Sequence, residues 1–255
     1  LYSARSAEFA TEEGMQKAIA TCKKHGIEGV VVIGGDGSFR GARDLSERGI
    51  PCVGIPGTID NDIACCDYTI GYDTCLNTIM ECVDKVRDTT ESHDRCTVVE
   101  VMGRRAGYLA LNAGIAVGAT AILIPEIEFD IQKDVIERMK RTQLANKKHF
   151  LIVVAEGVGV DVTQLAGEIQ EKTGVESRAC ILGHIQRGGS PTVQDRVMAT
   201  RMGNYAVKEL LMKNIGNRVV ASQKGDVVDY DIFEALNMKK HIDEHLYQVA
   251  MEVSI

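Results

Sequence analysis

Residues 29–38 read Gly-Val-Val-Val-Ile-Gly-Gly-Asp-Gly-Ser, an apolar run that opens into a glycine-rich loop. Because the run contains no polar alternation, it is typical of a strand that is covered on both faces, as strands of parallel sheets are. Residues 39–48 are predicted to form a short helix, and residues 50–55 provide a second short apolar run. A strand, a helix and a second strand in this order predict a parallel βαβ unit.

The rest of the chain continues this alternation, and the segment from Tyr230 onward is predicted to be helical. The pattern predicts an α/β fold. A chain of 255 residues is long enough for one large domain or two modest ones, and both remain open from the composition.

The composition restricts the classes of function. The 255 residues include 36 acidic and 29 basic ones, and the net charge of −7 argues against a surface that binds nucleic acid. No apolar run approaches the length that spans a bilayer, so no membrane partner is predicted. The eight cysteines lack paired metal spacing, which predicts reduced thiols and a cytoplasmic location.

A second polar loop, Pro56-Gly57-Thr58-Ile59-Asp60-Asn61-Asp62, follows the second apolar run. It would leave the carboxyl end of a buried strand, where open α/β sheets bind their ligands. A hydroxyl group that accepts a phosphoryl group must lose a proton, and a carboxylate such as Asp60 or Asp62 can take it. The alternative is that both aspartates only cap turns, as loop aspartates commonly do.

The glycine-rich loop from Gly34 to Ser38 departs from both the G-x-G-x-x-G fingerprint and the lysine-containing P-loop. Its backbone would still allow close approach of a polyphosphate, and Asp36 could face a Mg²⁺ ion that bridges the phosphates. The alternative is a strand-to-helix turn in which Asp36 only caps the helix.

Basic side chains near predicted strand ends are notable in an acidic protein: Arg95, Arg104, Arg178, His184 and Arg187. The planar guanidinium group suits phosphate, so this set predicts recognition of a phosphate ester. The alternative for Arg95 and Arg178 is pairing with surface carboxylates. A further strand end carries Glu156, which could bind sugar hydroxyls or simply cap a helix.

Four blocks of this sequence resemble the bacterial type of 6-phosphofructokinase: residues 34–38, 56–62, 101–104 and 182–191. They occur in the order of that family with similar spacing, and the resemblance covers essentially the whole chain. It implies transfer of the γ-phosphoryl group of ATP, with Mg²⁺, to the 1-hydroxyl of fructose 6-phosphate, which is a step of glycolysis. It also implies two doubly wound α/β domains whose sheets are mainly parallel, with the active site in the cleft between them. Residues 1–71 with 184–234 would form the ATP-binding domain, and residues 72–183 with 235–255 would form the sugar-phosphate-binding domain.

The resemblance also implies roles for single residues. Asp60 is similar to the general base, Thr58 and Asp62 line the same loop, and Arg104 helps to stabilise the developing charge. Asp36 matches the Mg²⁺ ligand, and the nucleotide contacts are matched by Arg5, Gly35, Gly37, Ser38 and Gly41. The sugar-phosphate contacts are matched by Met102, Gly103, Glu156, His184 and Arg187. Arg95 and Arg178 resemble ligands that reach the 6-phosphate from a neighbouring subunit, so a homotetramer with shared sites is expected.

Two glycines bear on the phosphoryl donor. Pyrophosphate-dependent relatives typically carry an aspartate and a lysine where this chain has Gly37 and Gly57, and the glycines leave room for a nucleotide. ATP is therefore the favoured donor. The alternatives are a pyrophosphate-dependent enzyme and a non-catalytic subunit of the same fold that binds sugar phosphate.

The sequence also departs from the family pattern. The amino-terminal strand and phosphate loop of the family precede Leu1, so the 255 residues as given are expected to have little kinase activity. Arg87 and Lys147 resemble two contacts of the effector site, which implies regulation by ADP or phosphoenolpyruvate. Thr120, however, stands where bacterial members often have an acidic metal contact.

Overall fold

The computed structural model describes residues 6–254, which form two compact units. Within the described residues, unit 1 comprises residues 6–58, 63–70 and 193–240. Unit 2 comprises residues 59–62, 71–192 and 241–254.

Strands and helices alternate along both units. The strands are β1 (Val30–Gly34), β2 (Cys52–Pro56), β3 (Cys96–Val101), β4 (Ala121–Leu123), β5 (Phe150–Ala155), β6 (Ser177–Ile181), β7 (Arg218–Gln223) and β8 (Asp226–Asp231). The α-helices are α1 (Glu12–Lys24), α2 (Asp36–Ser46), α3 (Tyr72–Ser92), α4 (Tyr108–Ala116), α5 (Arg138–Leu144), α6 (Val162–Thr173), α7 (Val193–Asn204), α8 (Ile232–Asn237) and α9 (Glu244–Val253). A π-helical segment precedes α5, and another follows α7. None of the described helices is both long and apolar enough to cross a bilayer.

Unit 1 is built on a sheet with the strand order β1-β2-β7-β8. β1, β2 and β7 are parallel, and all five residues of β2 are buried. Phe39 of α2 packs directly on this strand, because a Cβ added at Gly54 would lie only 2.7 Å from its ring. Both apolar runs form parallel strands, as predicted, and β2 is buried. The prediction that the first run is covered on both faces is not met in the structure, because β1 is only partly buried and Ile33 is 49% exposed.

Unit 2 is built on an all-parallel sheet with the strand order β4-β5-β3-β6. β5 is fully buried, and α3 turns Cys75, Ile79 and Val83 into the interior. Near the end of α3, the hydroxyl groups of Thr90 and Thr97 lie 2.6 Å apart and tie the helix to β3. Both units thus combine helices with a mainly parallel sheet, and the predicted α/β class is confirmed.

The helical prediction from Tyr230 onward is confirmed for α8 and α9, but Tyr230 and Asp231 belong to β8, a strand that was not predicted. This strand pairs antiparallel with β7 through a two-residue turn in which Lys224 and Gly225 have φ angles of 51° and 89°. Such a turn matches the twist of a hairpin, but a Lys-Gly pair is a weaker signal for it than Asn-Gly. Helix α8 begins only after Asp231, whose carboxylate accepts the N–H of Phe233 at 2.9 Å.

The chain returns to unit 1 at residue 193 rather than at residue 184, and leaves it after residue 240 rather than after 234. The first difference arises because α3 holds the intervening segment: Thr78 Oγ1 donates to the Gly188 carbonyl and Thr192 N–H to Thr74 Oγ1, both at 3.2 Å. The second arises because Lys240 Nζ donates to the Cys66 carbonyl of unit 1 at 2.7 Å.

Candidate active site

The loop after β2 is fixed at its start within unit 1. The Gly57 N–H donates to the Gly34 carbonyl of β1 at 2.9 Å, and the Ile70 N–H donates to the Pro56 carbonyl at 3.0 Å. Thr69, whose side chain is fully buried, donates from its hydroxyl to the Thr58 carbonyl at 2.7 Å. The polar residues that follow β2 therefore start from a well-held backbone.

The two carboxylates of this loop belong to unit 2 and are half-buried. Burial, with the charge of Asp60, raises the pKa of the Cys75 thiol to about 12, so Asp60 lies near the first turns of α3. Burial, with the charges of Glu126 and Asp62, raises the pKa of Tyr108 to about 12, so Asp62 lies near the start of α4. Helix amino termini stabilise negative charge, and this environment therefore suits a pair of carboxylates.

The glycine-rich loop lies at the start of α2, which begins at Asp36 instead of the predicted Phe39. Gly35 is the N-cap residue, so the segment that follows it provides helix amino-terminal N–H groups, which suit phosphate. A Cβ added at Gly34 would lie 2.4 Å from Ser38 Oγ, whereas one added at Gly37 would meet no described atom within 4 Å. Gly34 is therefore needed for local packing, and Gly37 faces open space.

Asp36 is engaged by Arg40, one helical turn further along α2. Arg40 Nε lies 2.9 Å from Asp36 Oδ2, and Nη2 lies 3.2 Å from Oδ1. This hydrogen bond and the charge of Asp36 raise the pKa of Arg40. Among the described residues, no group of three or more metal-ligating side chains occurs. A single carboxylate fits a Mg²⁺ ion held mainly by phosphate oxygens, provided that the ion displaces Arg40.

The segment after β3 has an uncommon backbone. Gly103 and Arg104 have φ angles of 129° and 60°, and a Cβ at position 103 would lie 2.4 Å from the Ala106 carbonyl oxygen. The Arg104 N–H donates to Glu156 Oε1 at 2.6 Å, so the first residue after β5 holds the backbone of the third residue after β3. The exposed Arg104 side chain is thus presented on a constrained turn.

A short 3₁₀ turn, Gly183–Arg187, follows β6. His184 and Arg187 are exposed, and both can reach an anionic ligand from this turn. Between them, Gln186 is only 1% exposed; its Oε1 accepts the Met102 N–H at 3.0 Å. The segments after β3, β5 and β6 are therefore joined by side-chain-to-backbone hydrogen bonds.

Comparisons with known proteins identify the family. The Phosphofructokinase family model matches residues 1–210. The chain belongs to the phosphofructokinase family. It is 55% and 54% identical, over all 255 residues, to the ATP-dependent 6-phosphofructokinases of Bacillus velezensis and Bacillus subtilis, and it covers 79% of each. A solved phosphofructokinase from Saccharomyces cerevisiae matches 99% of this chain and 38% of its own, with 33% identity and a TM-score of 0.83.

Two arginines predicted as phosphate ligands do not lie with the others. Arg95 directly precedes β3 and Arg178 is the second residue of β6, so both lie at the amino ends of their strands. They share Glu176 as a partner, with nitrogen-to-oxygen distances of 2.9 Å for Arg95 and 2.7 Å for Arg178. The pairing with surface carboxylates is therefore present, and a role toward a neighbouring phosphofructokinase subunit stays a prediction.

The glycines that were predicted as nucleotide or donor residues differ in their surroundings. A Cβ at Gly57 would lie 2.9 Å from Ile33 Cγ2, so a larger residue there would require Ile33 of β1 to shift. A Cβ at Gly41 would lie 3.2 Å from Phe9, which packs on α2. Of the two glycines in the donor argument, Gly37 is therefore the one without a packing reason, since a Cβ there would meet no described atom within 4 Å. Arg5 lies outside the described residues.

The candidate effector residues lie close together in unit 2. Arg87 donates to the Val117 carbonyl, and burial together with the charges of Arg138 and Arg87 lowers the pKa of Lys147. Thr120 is fully buried, and its hydroxyl has no hydrogen-bond partner within residues 6–254. The structure therefore groups Arg87 with Lys147, while the binding of an effector stays a prediction.

Sequence reasoning missed the residues that hold the candidate site in place. Gln186, Glu126 and Arg40 were not predicted, although Glu126 Oε1 accepts the Gly107 N–H at 2.8 Å just before α4. Their partners are backbone groups or residues on the same helix. The i,i+4 spacing of Asp36 and Arg40 is the one signal in the sequence that could have indicated such a contact.

Proposed function

We propose that this chain is an ATP-dependent 6-phosphofructokinase, which transfers the γ-phosphoryl group of ATP to the 1-hydroxyl of fructose 6-phosphate. The observation that carries this proposal is the identity of 54–55% with ATP-dependent 6-phosphofructokinases over the whole chain. Phosphoryl transfer depends mainly on positioning and on stabilising charge. The carboxylates, arginines and glycine-rich turn of this chain are groups that can position the substrates and stabilise charge.

Asp60 acts as the general base in this mechanism. It takes the proton of the 1-hydroxyl as that oxygen bonds to the γ-phosphorus, and the bond from the γ-phosphorus to the bridging oxygen breaks to release ADP. Arg104 stabilises the negative charge that develops on the transferred group. Thr58 and Asp62 line the loop that holds Asp60.

The remaining residues bind the two substrates. Fructose 6-phosphate is held by Met102, Gly103, Glu156, His184 and Arg187, with His184 and Arg187 on the 6-phosphate. ATP is bound by Arg5, Gly35, Gly37, Ser38 and Gly41. Asp36 would hold a Mg²⁺ ion, which neutralises phosphate charge when bound.

Assembly and regulation are part of the same proposal. Arg95 and Arg178 contribute to the 6-phosphate site of a neighbouring subunit, and the protein acts as a homotetramer in the cytoplasm. Arg87 and Lys147 bind an anionic effector such as ADP or phosphoenolpyruvate. The half-buried, cationic surroundings of Lys147 support this assignment.

The test supplies the full-length protein with fructose 6-phosphate, Mg²⁺ and either ATP or pyrophosphate, and follows the products by ³¹P NMR. Fructose 1,6-bisphosphate is expected with ATP and at least tenfold more slowly with pyrophosphate. Faster turnover with pyrophosphate would contradict the donor assignment. No turnover with either donor, but tight binding of fructose 6-phosphate, would instead indicate a non-catalytic subunit.

A further inference from the structure

Gln186 is a buried polar side chain within an otherwise exposed turn. Only 1% of its surface is exposed, whereas His184, Ile185 and Arg187 beside it are exposed. Its Oε1 accepts the Met102 N–H and its Nε2 donates to the Gly183 carbonyl, both at 3.0 Å. Because both ends of the carboxamide are bonded, its orientation is fixed, and loss of either bond would leave a buried polar group unsatisfied.

The carboxamide of Gln186 extends the hydrogen-bond ladder between β3 and β6. These neighbouring strands pair in parallel as far as Glu100 and Ile181, and one more backbone bond runs from the Leu182 N–H to the Glu100 carbonyl at 3.2 Å. The next donor on this side of β3, the Met102 N–H, bonds to the side chain of Gln186 instead. A carboxamide carries the same acceptor and donor groups as a peptide unit, so it can replace a rung of the ladder.

The two segments that Gln186 joins carry the proposed substrate contacts. Met102, Gly103 and Arg104 follow β3, and two of these residues have positive φ angles, which an anchored neighbour helps to maintain. His184 and Arg187 flank Gln186 in the turn after β6. A single buried side chain therefore sets the spacing between a sugar-binding segment and a phosphate-binding segment.

We propose that Gln186 is a positioning residue that sets this spacing and thereby the affinity for fructose 6-phosphate. The proposal rests on the proposed function, since it assumes that both segments bind this substrate. Gln186 does not itself contact the sugar phosphate. Its polar atoms are already bonded within the protein, and it acts through the backbone of Met102 and Gly183.

The test compares Gln186→Met with Gln170→Met in the full-length protein. Gln170, an exposed residue of α6, is the control, because its Oε1 also accepts a backbone N–H of β6, that of Ser177 at 3.1 Å, but at the opposite end of the strand. The dissociation constant for fructose 6-phosphate is measured by calorimetry without ATP, alongside the KM values for both substrates and the melting temperature.

For Gln186→Met we expect roughly tenfold weaker binding of fructose 6-phosphate, the size expected when buried hydrogen bonds are lost. The KM for ATP should stay within about twofold of the wild-type value. In Gln170→Met, both the dissociation constant for fructose 6-phosphate and the KM for ATP should stay within the same limit. Gln186→Asn is the second variant, and it keeps the test possible if Gln186→Met does not fold. Its side chain is too short to keep both bonds, so it should also weaken the binding of fructose 6-phosphate.

The proposal is overturned if every Gln186 variant that folds, whether one or both, binds fructose 6-phosphate as tightly as the wild type. It is also overturned if Gln170→Met weakens binding equally, or if the KM values for both substrates rise together with a fall in melting temperature. Failure of the proposed function is a separate outcome, because the wild-type protein would then not phosphorylate fructose 6-phosphate at all.

Discussion

The candidate functional side chains of the two units are held in different ways. In unit 1, Asp36 is held by Arg40 on the same helix, and the side chains of these two residues are 42% and 52% exposed. In unit 2, Glu156 and Gln186 bond to the backbone N–H groups of Arg104 and Met102. One arrangement is an exposed pair of side chains, and the other fixes the main chain itself.

This difference has a physical consequence. An exposed pair at i,i+4 spacing contributes little to stability, and either partner can rotate away when another ligand arrives. A backbone group has no such freedom, so a side chain that bonds to it fixes the course of the chain. We therefore expect substitutions among the backbone-bonded residues of unit 2 to affect activity more than substitutions in the α2 pair.

The largest effect is expected where the chemical step itself is removed. Replacing Asp60 by Ser removes the proposed base, and kcat should fall roughly 10²–10⁴-fold while the dissociation constant for fructose 6-phosphate changes little. Asp84→Ser, which removes an exposed carboxylate of α3, is the matched control. Steady-state kinetics and calorimetry provide the measurements. An unchanged kcat in Asp60→Ser would contradict the assignment of Asp60 as the base.

The next effect concerns the backbone of Arg104. Glu156→Ala removes the acceptor of the Arg104 N–H, and since Arg104 has a φ angle of 60°, the turn should relax. We expect kcat to fall roughly 5–10-fold, whereas Glu156→Gln, which keeps an acceptor oxygen, should recover most of the rate. Glu171→Ala, on the exposed side of α6, is the control. If Glu156→Gln is as impaired as Glu156→Ala, the carboxylate acts only through its proposed contact with the sugar and the bond to the Arg104 N–H does not contribute.

The strands and the polar loops of both units could be predicted from the sequence. The buried strands β2 and β5 were predictable, because a run such as Phe150–Ala155 is apolar throughout and strands of parallel sheets have this pattern. The polar loops that follow β2, β3 and β6 were predictable from their order and residue types. Their assignment to the ends of parallel strands followed from the βαβ pattern.

The contacts that hold the loops were not predictable. The bond from Met102 to Gln186 joins residues that are 84 positions apart, and neither residue type indicates it. β8 was missed because its turn uses Lys224 and Gly225 at positive φ without the usual Asn-Gly pair. Arg95 and Arg178 were grouped with the other basic residues because their chemistry is the same, although they lie at the opposite ends of their strands.

The smallest effect is expected for the exposed pair of unit 1. Arg40→Gln should lower the free energy of unfolding by only about 0.3–0.5 kcal/mol, the value of a solvent-exposed i,i+4 pair. The matched control is Lys172→Gln, which breaks the exposed pair of Lys172 with Glu168 on α6, whose atoms lie 2.7 Å apart. Both variants should have the same small effect in denaturant unfolding.

The two variants should differ in metal binding. Because Arg40 occupies both carboxylate oxygens of Asp36, its removal should free them for a divalent cation. In the presence of a non-hydrolysable ATP analogue, Arg40→Gln should bind Mn²⁺ about two- to threefold more tightly by electron paramagnetic resonance, and Lys172→Gln should be unchanged. Equal Mn²⁺ affinity in the wild type and Arg40→Gln would mean that the pair does not compete with the metal. Asp36 would then be held as firmly as the backbone-bonded residues of unit 2, and the contrast between the units would fail at this position.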